Sequence, residues 1–188
     1  RMYFHGCGQK GPWSQMTKLA LSKDGLDFSL MPEQLGSSYW RVWQYGDWYY
    51  TLEMPGMIRR SRDGITGWEE GNSLFPHTTR HSAVRRQGDT LEIWYSVAGE
   101  CPESIRYCRL DLRGDWRQWR PTPSVVQLAP ETPWEGAQCP MVPSKRGLSR
   151  VPVNQVRDPA IYEEDGRTYL VYSVAGETAL AIAELVQA

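Results

Sequence analysis

Polar and charged residues stand at the starts of several strand-like segments, and one of them is a carboxylate. The stretch RDPAIYEEDGRTYLVYSVAGE opens on Arg157 and Asp158, directly before an apolar run. Asp and Pro are poor residues inside a sheet, so they mark the point where a strand begins. Asp158 is therefore either a turn residue that accepts backbone N–H bonds or a group that contacts a ligand. The residues alone leave both interpretations open.

Two further strand starts carry basic residues in the corresponding place. The tripeptides are YWR at 39–41 and RHS at 80–82. Guanidinium groups bind a carboxylate or phosphate through forked hydrogen bonds, so Arg80 and Arg157 are candidate contacts to an acidic or phosphorylated sugar, with Arg41 as a further polar contact. In the alternative interpretation, the arginines pair with neighbouring carboxylates and hold the inner turn.

The histidine of the second tripeptide has several chemical uses. His81 could orient another side chain, act as a general acid or base, or bind a central cation. Its structural alternative is a hydrogen-bonded polar residue at a strand entrance. We keep His81 among the candidate ligand-contacting residues.

The aromatic content is unusual, because nine Trp and ten Tyr stand against three Phe. Amphipathic rings suit places where one side is packed and the other meets polar groups, and sugar-binding clefts are such places. Trp40 and Trp134 are accordingly candidate rings for stacking against a sugar. The alternative is that Trp and Tyr fill the core of a small β-protein.

Composition excludes several classes of protein. The chain has 188 residues, a net charge of −1 and 40% hydrophobic residues, which is typical of a soluble globular domain and argues against nucleic acid as a partner. No apolar run approaches the roughly 20 residues that cross a bilayer, so we expect no membrane association and a cytoplasmic location. The four cysteines lack zinc-site spacing, and we expect thiols, although Cys101 and Cys108 could pair across a hairpin.

The elements that position these residues are short strands separated by Gly and Pro. We predict eleven strands, at 1–4, 17–21, 40–44, 48–53, 57–61, 82–86, 91–97, 105–110, 160–162, 168–174 and 179–185. Long helical patterns are nearly absent, which indicates an all-β fold. The strand chemistry fits a sandwich, a barrel or a propeller.

An internal repeat favours the propeller. The segments QGDTLEIWYSVAGE (87–100) and EDGRTYLVYSVAGE (164–177) end identically, and QYGDWYYTLE (44–53) is a weaker copy. Gly46 and Gly88 in the turns of two copies lie 42 positions apart, the length of one four-stranded blade. We predict a single, partial β-propeller domain over 1–188. Within it, 131–155 forms an irregular insertion or a degenerate blade, and a missing inner strand of the first copy lies upstream of Arg1 or comes from a second chain.

These residues resemble a known group of proteins. The RDP before DGRTYLVYS, the turns SKDGLDF and SRDGITGW, and WEG before a Pro look like the five-bladed β-propeller glycosidases of the arabinanase and xylosidase type, which are related to invertases and levansucrases. The resemblance implies a funnel at the propeller axis lined by acidic residues. It also implies cleavage of a glycosidic bond between one protonated and one ionised carboxyl group.

Carried over to this chain, the resemblance makes Asp158 the DP-motif carboxylate and Glu135, in WEGAQCP, the general acid. The order departs from the family, because Glu135 precedes Asp158 and the other inner strands lack an Asp. The expected partner is a carbohydrate or another small polar ligand, homo-oligomer formation is open, and no cofactor is expected, although a central Ca²⁺ stays open. The alternative function is a propeller without catalysis that binds carbohydrate or protein.

Overall fold

The computed structural model describes residues 1–8 and 11–186, with side chains described at these positions except 8 and 11–14. All regular structure in this part of the chain is β, apart from two 3₁₀ turns at Trp116–Gln118 and Pro133–Glu135. The strands form four antiparallel sheets, each built from strands that follow one another along the chain. The all-β prediction is therefore confirmed.

The chain divides into two compact units, Arg1–Phe75 and Pro76–Ala188. The first unit holds two sheets, in the orders β1-β2-β3 and β4-β5-β6-β7. Its strands are β1 (Met2–Gly8), β2 (Gly11–Leu21), β3 (Ser29–Ser37), β4 (Arg41–Tyr45), β5 (Trp48–Glu53), β6 (Met57–Ser61) and β7 (Glu69–Ser73).

The second unit also holds two sheets, in the orders β11-β10-β9-β8 and β12-β13-β14. Its strands are β8 (Thr79–Gln87), β9 (Thr90–Val97), β10 (Ile105–Asp111), β11 (Val125–Leu128), β12 (Arg157–Glu164), β13 (Arg167–Val174) and β14 (Ala179–Glu184). The segment 131–155 contains the second 3₁₀ turn and no strand, so it is irregular. Its origin as an insertion or as a degenerate blade stays a prediction. The assignment of 1–188 to a single domain also stays a prediction.

All eleven predicted strands coincide with observed ones, and three strands were missed. The missed strands are β3, β7 and β11. The sequence of β7 is EEGNS, which has no apolar alternation, and β3 contains a proline. Outer strands of a sheet bury little surface, so the apolar pattern that identifies a strand is weak in them.

Local hydrogen bonds explain the SKDG and SRDG turns. Oδ1 of Asp63 accepts the backbone N–H groups of Ile65 and Thr66, each at 2.8 Å. Asp24 accepts the N–H groups two and three residues on in the same way, and these bonds lower its pKa to about 2. Such Asx turns let the chain reverse without a partner strand.

Hairpin chemistry explains the turn between β12 and β13. Asp165 and Gly166 have φ of 51° and 75°, both in the left-handed region. Two-residue hairpins of type I′ need this conformation at both positions, and Asp-Gly is among the pairs that adopt it most readily. The DG predicted to be a turn from the sequence is therefore a tight hairpin connection.

The core of the first unit is organised around a buried carboxylate. Glu53 is 3% exposed, and its Oε2 accepts the indole N–H of Trp40 at 2.7 Å and the backbone N–H of Ser37 at 3.1 Å. Its Oε1 accepts two hydrogen bonds from Arg59 at 3.3 Å. The ring centroids of Trp40 and Trp68 lie 4.8 Å apart, edge to face.

The core of the second unit lies between its two sheets. Ala83, Trp94 and Ile105 of one sheet pack with Leu170, Tyr172 and Val174 of the other. The side chains of Ala181 and Ala183 on β14 complete this layer. The packing fixes β8 against β12, and so brings the two charged strand starts of this unit together.

We predict that Glu53→Gln lowers the free energy of unfolding by about 2–3 kcal/mol, because it removes the ionised acceptor that serves Trp40 and Arg59 at a buried position. Glu70→Gln is the matched control, since Glu70 also pairs with Arg59 but is 57% exposed; it should cost less than about 1 kcal/mol. Urea unfolding followed by tryptophan fluorescence measures both, and equal losses would contradict the prediction.

Candidate functional site

The two inner strands of the second unit begin in the same way. β8 shifts register against β9 between Thr79 and Ser82, and β12 shifts register against β13 between Arg157 and Ala160. When the two YSVAGE segments are superposed by sequence, Arg80 corresponds to Arg157. An extra residue in a strand bends it and re-aims the side chains, a device common beside active sites.

Asp158 lies within the second of these irregularities and adopts an unusual backbone conformation. Its φ is 55°, a left-handed value uncommon for a residue with a side chain. Its Oδ1 contacts Nδ1 of His81, and its Oδ2 accepts the hydroxyl of Ser173 at 3.0 Å. Among the described residues no backbone N–H bonds this carboxylate, which argues against the turn-cap interpretation.

His81 is the residue of β8 that corresponds to Asp158, and the two meet across the unit. The side chain of His81 is 14% exposed and that of Asp158 is 26% exposed. An ionised carboxylate only accepts hydrogen bonds, so Nδ1 of the imidazole donates to it. Two candidate residues of the sequence analysis are thus brought together, and the pair is partly open to solvent; their role in a site stays a prediction.

Arg80 and Arg157 lie beside this pair in a buried ion-pair network. The side chains of Arg80, Arg157 and Glu103 are 3%, 2% and 0% exposed. Oε2 of Glu103 lies 3.2 Å from Nη1 of Arg80 and 3.3 Å from Nη2 of Arg157. Glu177 adds a second carboxylate, 2.8 Å from Nη1 of Arg157 and 4.0 Å from Nη2 of Arg80.

Further bonds tie the network to the irregular segment. Arg80 donates to the carbonyl oxygens of Lys145 at 3.0 Å and Gly147 at 3.4 Å, while Arg157 donates to the side-chain oxygen of Gln155. The two guanidinium charges are balanced by two carboxylates. Both arginines therefore take part in ion pairs, the alternative that the sequence left open, and their direct contact with a ligand stays a prediction.

Glu135 occupies a capping position in the 3₁₀ turn at 133–135. It is 5% exposed, and its Oε2 accepts the N–H groups of Glu131 and Thr132 and the hydroxyl of Thr132, each at 3.0 Å. The hydroxyl of Tyr172 donates to Oε1 at 2.7 Å. Burial raises the pKa of Glu135, but these bonds outweigh burial and hold the pKa below its usual value. A general acid needs a raised pKa, so the geometry favours a structural role.

The predicted stacking rings differ in exposure. Trp134 is 57% exposed, whereas Trp40 is 3% exposed and bonded to Glu53. Arg41, in the same unit as Trp40, donates to the Trp40 carbonyl at 3.4 Å, and burial lowers its pKa. Trp134 therefore presents a ring to solvent, and Trp40 is part of a core.

Three residues that contact the candidate site residues were not identified from the sequence: Glu103, Ser173 and Glu177. The repeated YSVAGE contained the information for two of them, because it places a Ser and a Glu at equivalent positions in both copies. Glu103 lies in a loop and has no such signal. Its segment forms an isolated bridge with Gln155, which lies two residues before Arg157 and far from Glu103 in the chain.

A groove of about 450 Å³ opens beside Arg157. Its walls come from the irregular segment, including Lys145, Leu148 and Arg150, and from Gln155. The volume lies within the range of small-molecule sites. The residue that follows Arg157 is Asp158, so the groove adjoins the strand start that carries the partly exposed carboxylate.

The described residues contain neither a candidate metal centre nor a candidate membrane-spanning helix. No cluster of three or more His, Cys, Asp and Glu side chains there has metal-binding geometry. No helix in that part of the chain has the length and hydropathy of a membrane span. The four cysteines all lie in the described part as thiols; Cys108 is buried, whereas Cys7 and Cys101 are exposed.

Comparison with known proteins gives one relative in sequence and several in structure. No family model matches the chain. The uncharacterized protein R118 of Acanthamoeba polyphaga mimivirus is 35% identical over 202 aligned positions, covering 98% of this chain. The chain spans 57% of the length of that relative.

Three solved structures with a similar fold are complexes with sugars. A β-1,2-mannobiose phosphorylase from Listeria innocua, in complex with β-1,2-mannobiose, has a TM-score of 0.56 at 14% identity, covering 90% of this chain and 48% of its own. A variant GH32 β-fructofuranosidase from Bombyx mori, in complex with sucrose, has a TM-score of 0.55 at 15% identity. The match covers 94% of this chain and 40% of the β-fructofuranosidase. The α-L-arabinanase of Cellvibrio cellulosa, in complex with arabinohexaose, has a TM-score of 0.51 at 13% identity. The match covers 92% of this chain and 65% of the arabinanase.

These likenesses identify the fold as that of the β-propeller glycosidases, as the sequence predicted. The four sheets are therefore blades. A total of five blades stays a prediction.

We predict that Glu103→Gln lowers the free energy of unfolding by about 3–5 kcal/mol, because two buried guanidinium groups lose their shared carboxylate. Glu184→Gln is the control, since Glu184 pairs with Arg167 at the surface, and it should cost less than about 1 kcal/mol. Chemical denaturation measures both, and a small loss for Glu103→Gln would contradict the network's role.

We predict that Glu135→Gln destabilises the protein by about 1–3 kcal/mol at pH 7. The folded pKa of Glu135 is lowered, so its contribution is present above the unfolded pKa and is lost as the pH falls through the folded value. The stability gap between wild type and variant should shrink below about pH 4. Denaturation between pH 3 and pH 7 tests this, with the exposed neighbour Glu131→Gln as control; a gap independent of pH would refute it.

Proposed function

We propose that this chain carries the sugar site of a carbohydrate-active β-propeller, which hydrolyses a glycosidic bond with Asp158 as the ionised carboxylate at the reacting sugar. The observation that carries the proposal is the conformation of Asp158. The residue has a φ of 55°, its carboxylate is bonded by two side chains, and 26% of that side chain is exposed. Left-handed backbone outside a tight turn costs free energy at a residue with a side chain, and such conformations recur at ligand sites.

The surrounding residues suit an ionised carboxylate. Ser173 donates to one oxygen at 3.0 Å, and His81 contacts the other. Hydrogen bonds to the charged form stabilise it, as a general base or nucleophile in glycoside cleavage requires. His81 is in this proposal a positioning residue, which fixes the direction of the Asp158 carboxylate.

The buried network supplies rigidity. Arg80 and Arg157 precede His81 and Asp158 in sequence, and both are anchored to Glu103. Reacting groups must be held within a fraction of an ångström of their working geometry. A buried, ion-paired foundation under two neighbouring strand starts meets this need.

Hydrolysis also needs a proton donor. Glu135 serves poorly, because its four hydrogen bonds favour the ionised form. Glu177 is 20% exposed, but its ion pair with Arg157 at 2.8 Å also favours the ionised form, so neither of these two carboxyl groups is assigned the acid role. The exposed ring of Trp134 stays a candidate stacking surface for the sugar, and the groove beside Arg157 is the candidate cavity.

We predict that Asp158→Asn lowers the rate of aryl-glycoside hydrolysis by about 10²–10⁴-fold, because it removes the charge that stabilises the oxocarbenium-like transition state. A panel of aryl glycosides with different sugars is assayed with wild type first. Asp47→Asn, at a side chain that is 91% exposed, is the control. Glu135→Gln should retain activity to the extent that it folds.

Two outcomes separate the alternatives. Unchanged hydrolysis in Asp158→Asn would remove this residue from the reaction. Sugar binding by the wild type with no hydrolysis of any glycoside would contradict the enzymatic proposal and support a binding module.

A further inference from the structure

A second groove lies at the far end of β8 from His81. It has a volume of about 460 Å³, within the range of small-molecule sites. Its lining includes Arg85, Glu92, Trp94, Tyr107 and Arg109 of one sheet, with Leu185 as an apolar wall. We call this cavity the Arg109 groove.

Cross-strand pairing arranges the charges of the Arg109 groove in a row. Arg85 of β8 is opposite Glu92 of β9, and Glu92 is opposite Arg109 of β10. Nε of Arg85 donates to Glu92 at 2.7 Å, and the hydroxyl of Tyr107 donates to the other Glu92 oxygen at 2.7 Å. Both oxygens of the Glu92 carboxylate therefore accept hydrogen bonds within the sheet.

The two arginines differ in what they offer a ligand. Nη1 of Arg85 donates to Thr168 and its charge is offset by Glu92, so it is committed to the fold. Arg109 is exposed, and its Nε donates to the Tyr107 hydroxyl at 2.6 Å. That bond and the Tyr107 ring fix the guanidinium, while its two terminal nitrogens have no hydrogen-bond partner among the described residues.

Trp94 lines the groove as a largely buried ring. Trp94 is 2% exposed, and its indole N–H has no acceptor among residues 1–8 and 11–186. A buried donor without an acceptor costs about 1–3 kcal/mol, and this nitrogen is covered by protein atoms, so it offers no contact to a ligand in the groove. The amide of Gln127 on β11 lies on the same lining.

We propose that the Arg109 groove binds a sugar that carries a carboxylate, a uronate residue. The single available guanidinium fork matches one carboxylate group. A doubly charged phosphate fits less well, since the second arginine is neutralised by Glu92. The C–H face of the sugar packs on Tyr107 and Leu185, and its hydroxyls meet Gln127. This binding does not depend on hydrolysis at Asp158.

The test is isothermal titration at low salt with D-glucuronate and D-galacturonate. D-glucose, D-galactose and acetate are the comparison ligands, which separate the carboxylate from the sugar. Variants are Arg109→Gln and, as matched control, Arg86→Gln, which removes the same charge from an exposed position on β8. Asp158→Asn distinguishes this groove from the proposed reaction site.

A uronate should bind wild type, Arg86→Gln and Asp158→Asn alike, and about tenfold or more weakly to Arg109→Gln, as expected for a lost charge-assisted hydrogen-bond pair. Neutral sugars and acetate should bind at least about tenfold more weakly than the uronate. The proposal is overturned if no uronate binds, if acetate binds as well as the uronate, or if Arg109→Gln leaves binding unchanged. Loss of binding in Asp158→Asn would move the uronate to the other site and also overturn it.

Discussion

Two guanidinium groups share one fully buried carboxylate, and the second unit is organised around this contact. Arg80 and Arg157 begin different sheets, yet both reach Glu103, which is 0% exposed. A buried charge without a partner costs several kcal/mol, so the strands that carry these groups must stay in place relative to each other. The constraint holds β8, β12 and the loop around Glu103 together. It also fixes the adjacent residues His81 and Asp158.

The internal repeat explains why the pair of His81 and Asp158 lies next to the buried ion pairs of Arg80 and Arg157. Arg80 and Arg157 occupy equivalent positions in two blades, and so do the residues that follow them. One copy carries an imidazole and the other a carboxylate. Equivalent positions of neighbouring blades approach each other, so the difference between the copies becomes a contact between His81 and Asp158. Divergence within a repeat thus produced a pair that identical copies could not form.

The buried and exposed charges of the second unit have separate roles. The carboxylates of Glu103 and Glu135 are buried and saturated with hydrogen bonds, and they stabilise the fold. The carboxylate of Asp158 and the guanidinium of Arg109 are held by neighbours but keep access to solvent. A side chain that is both fixed and accessible is suited to recognise a ligand. This criterion, more than residue type, separates the candidate site residues from the structural ones.

The sequence by itself determined the all-β class, the eleven strands, the hairpin at Asp165-Gly166 and the place of Asp158 at a strand start, because turn chemistry and alternation are local properties. It missed three edge strands, β3, β7 and β11, whose residues bury little surface. Only the tertiary structure decided which charges are paired. Glu103 meets Arg157 and Glu135 meets Tyr172 across long chain separations, and a single sequence holds no record of such contacts. The protonation of a carboxyl group and its availability to a ligand follow from burial and from neighbours, which exist only in the folded chain.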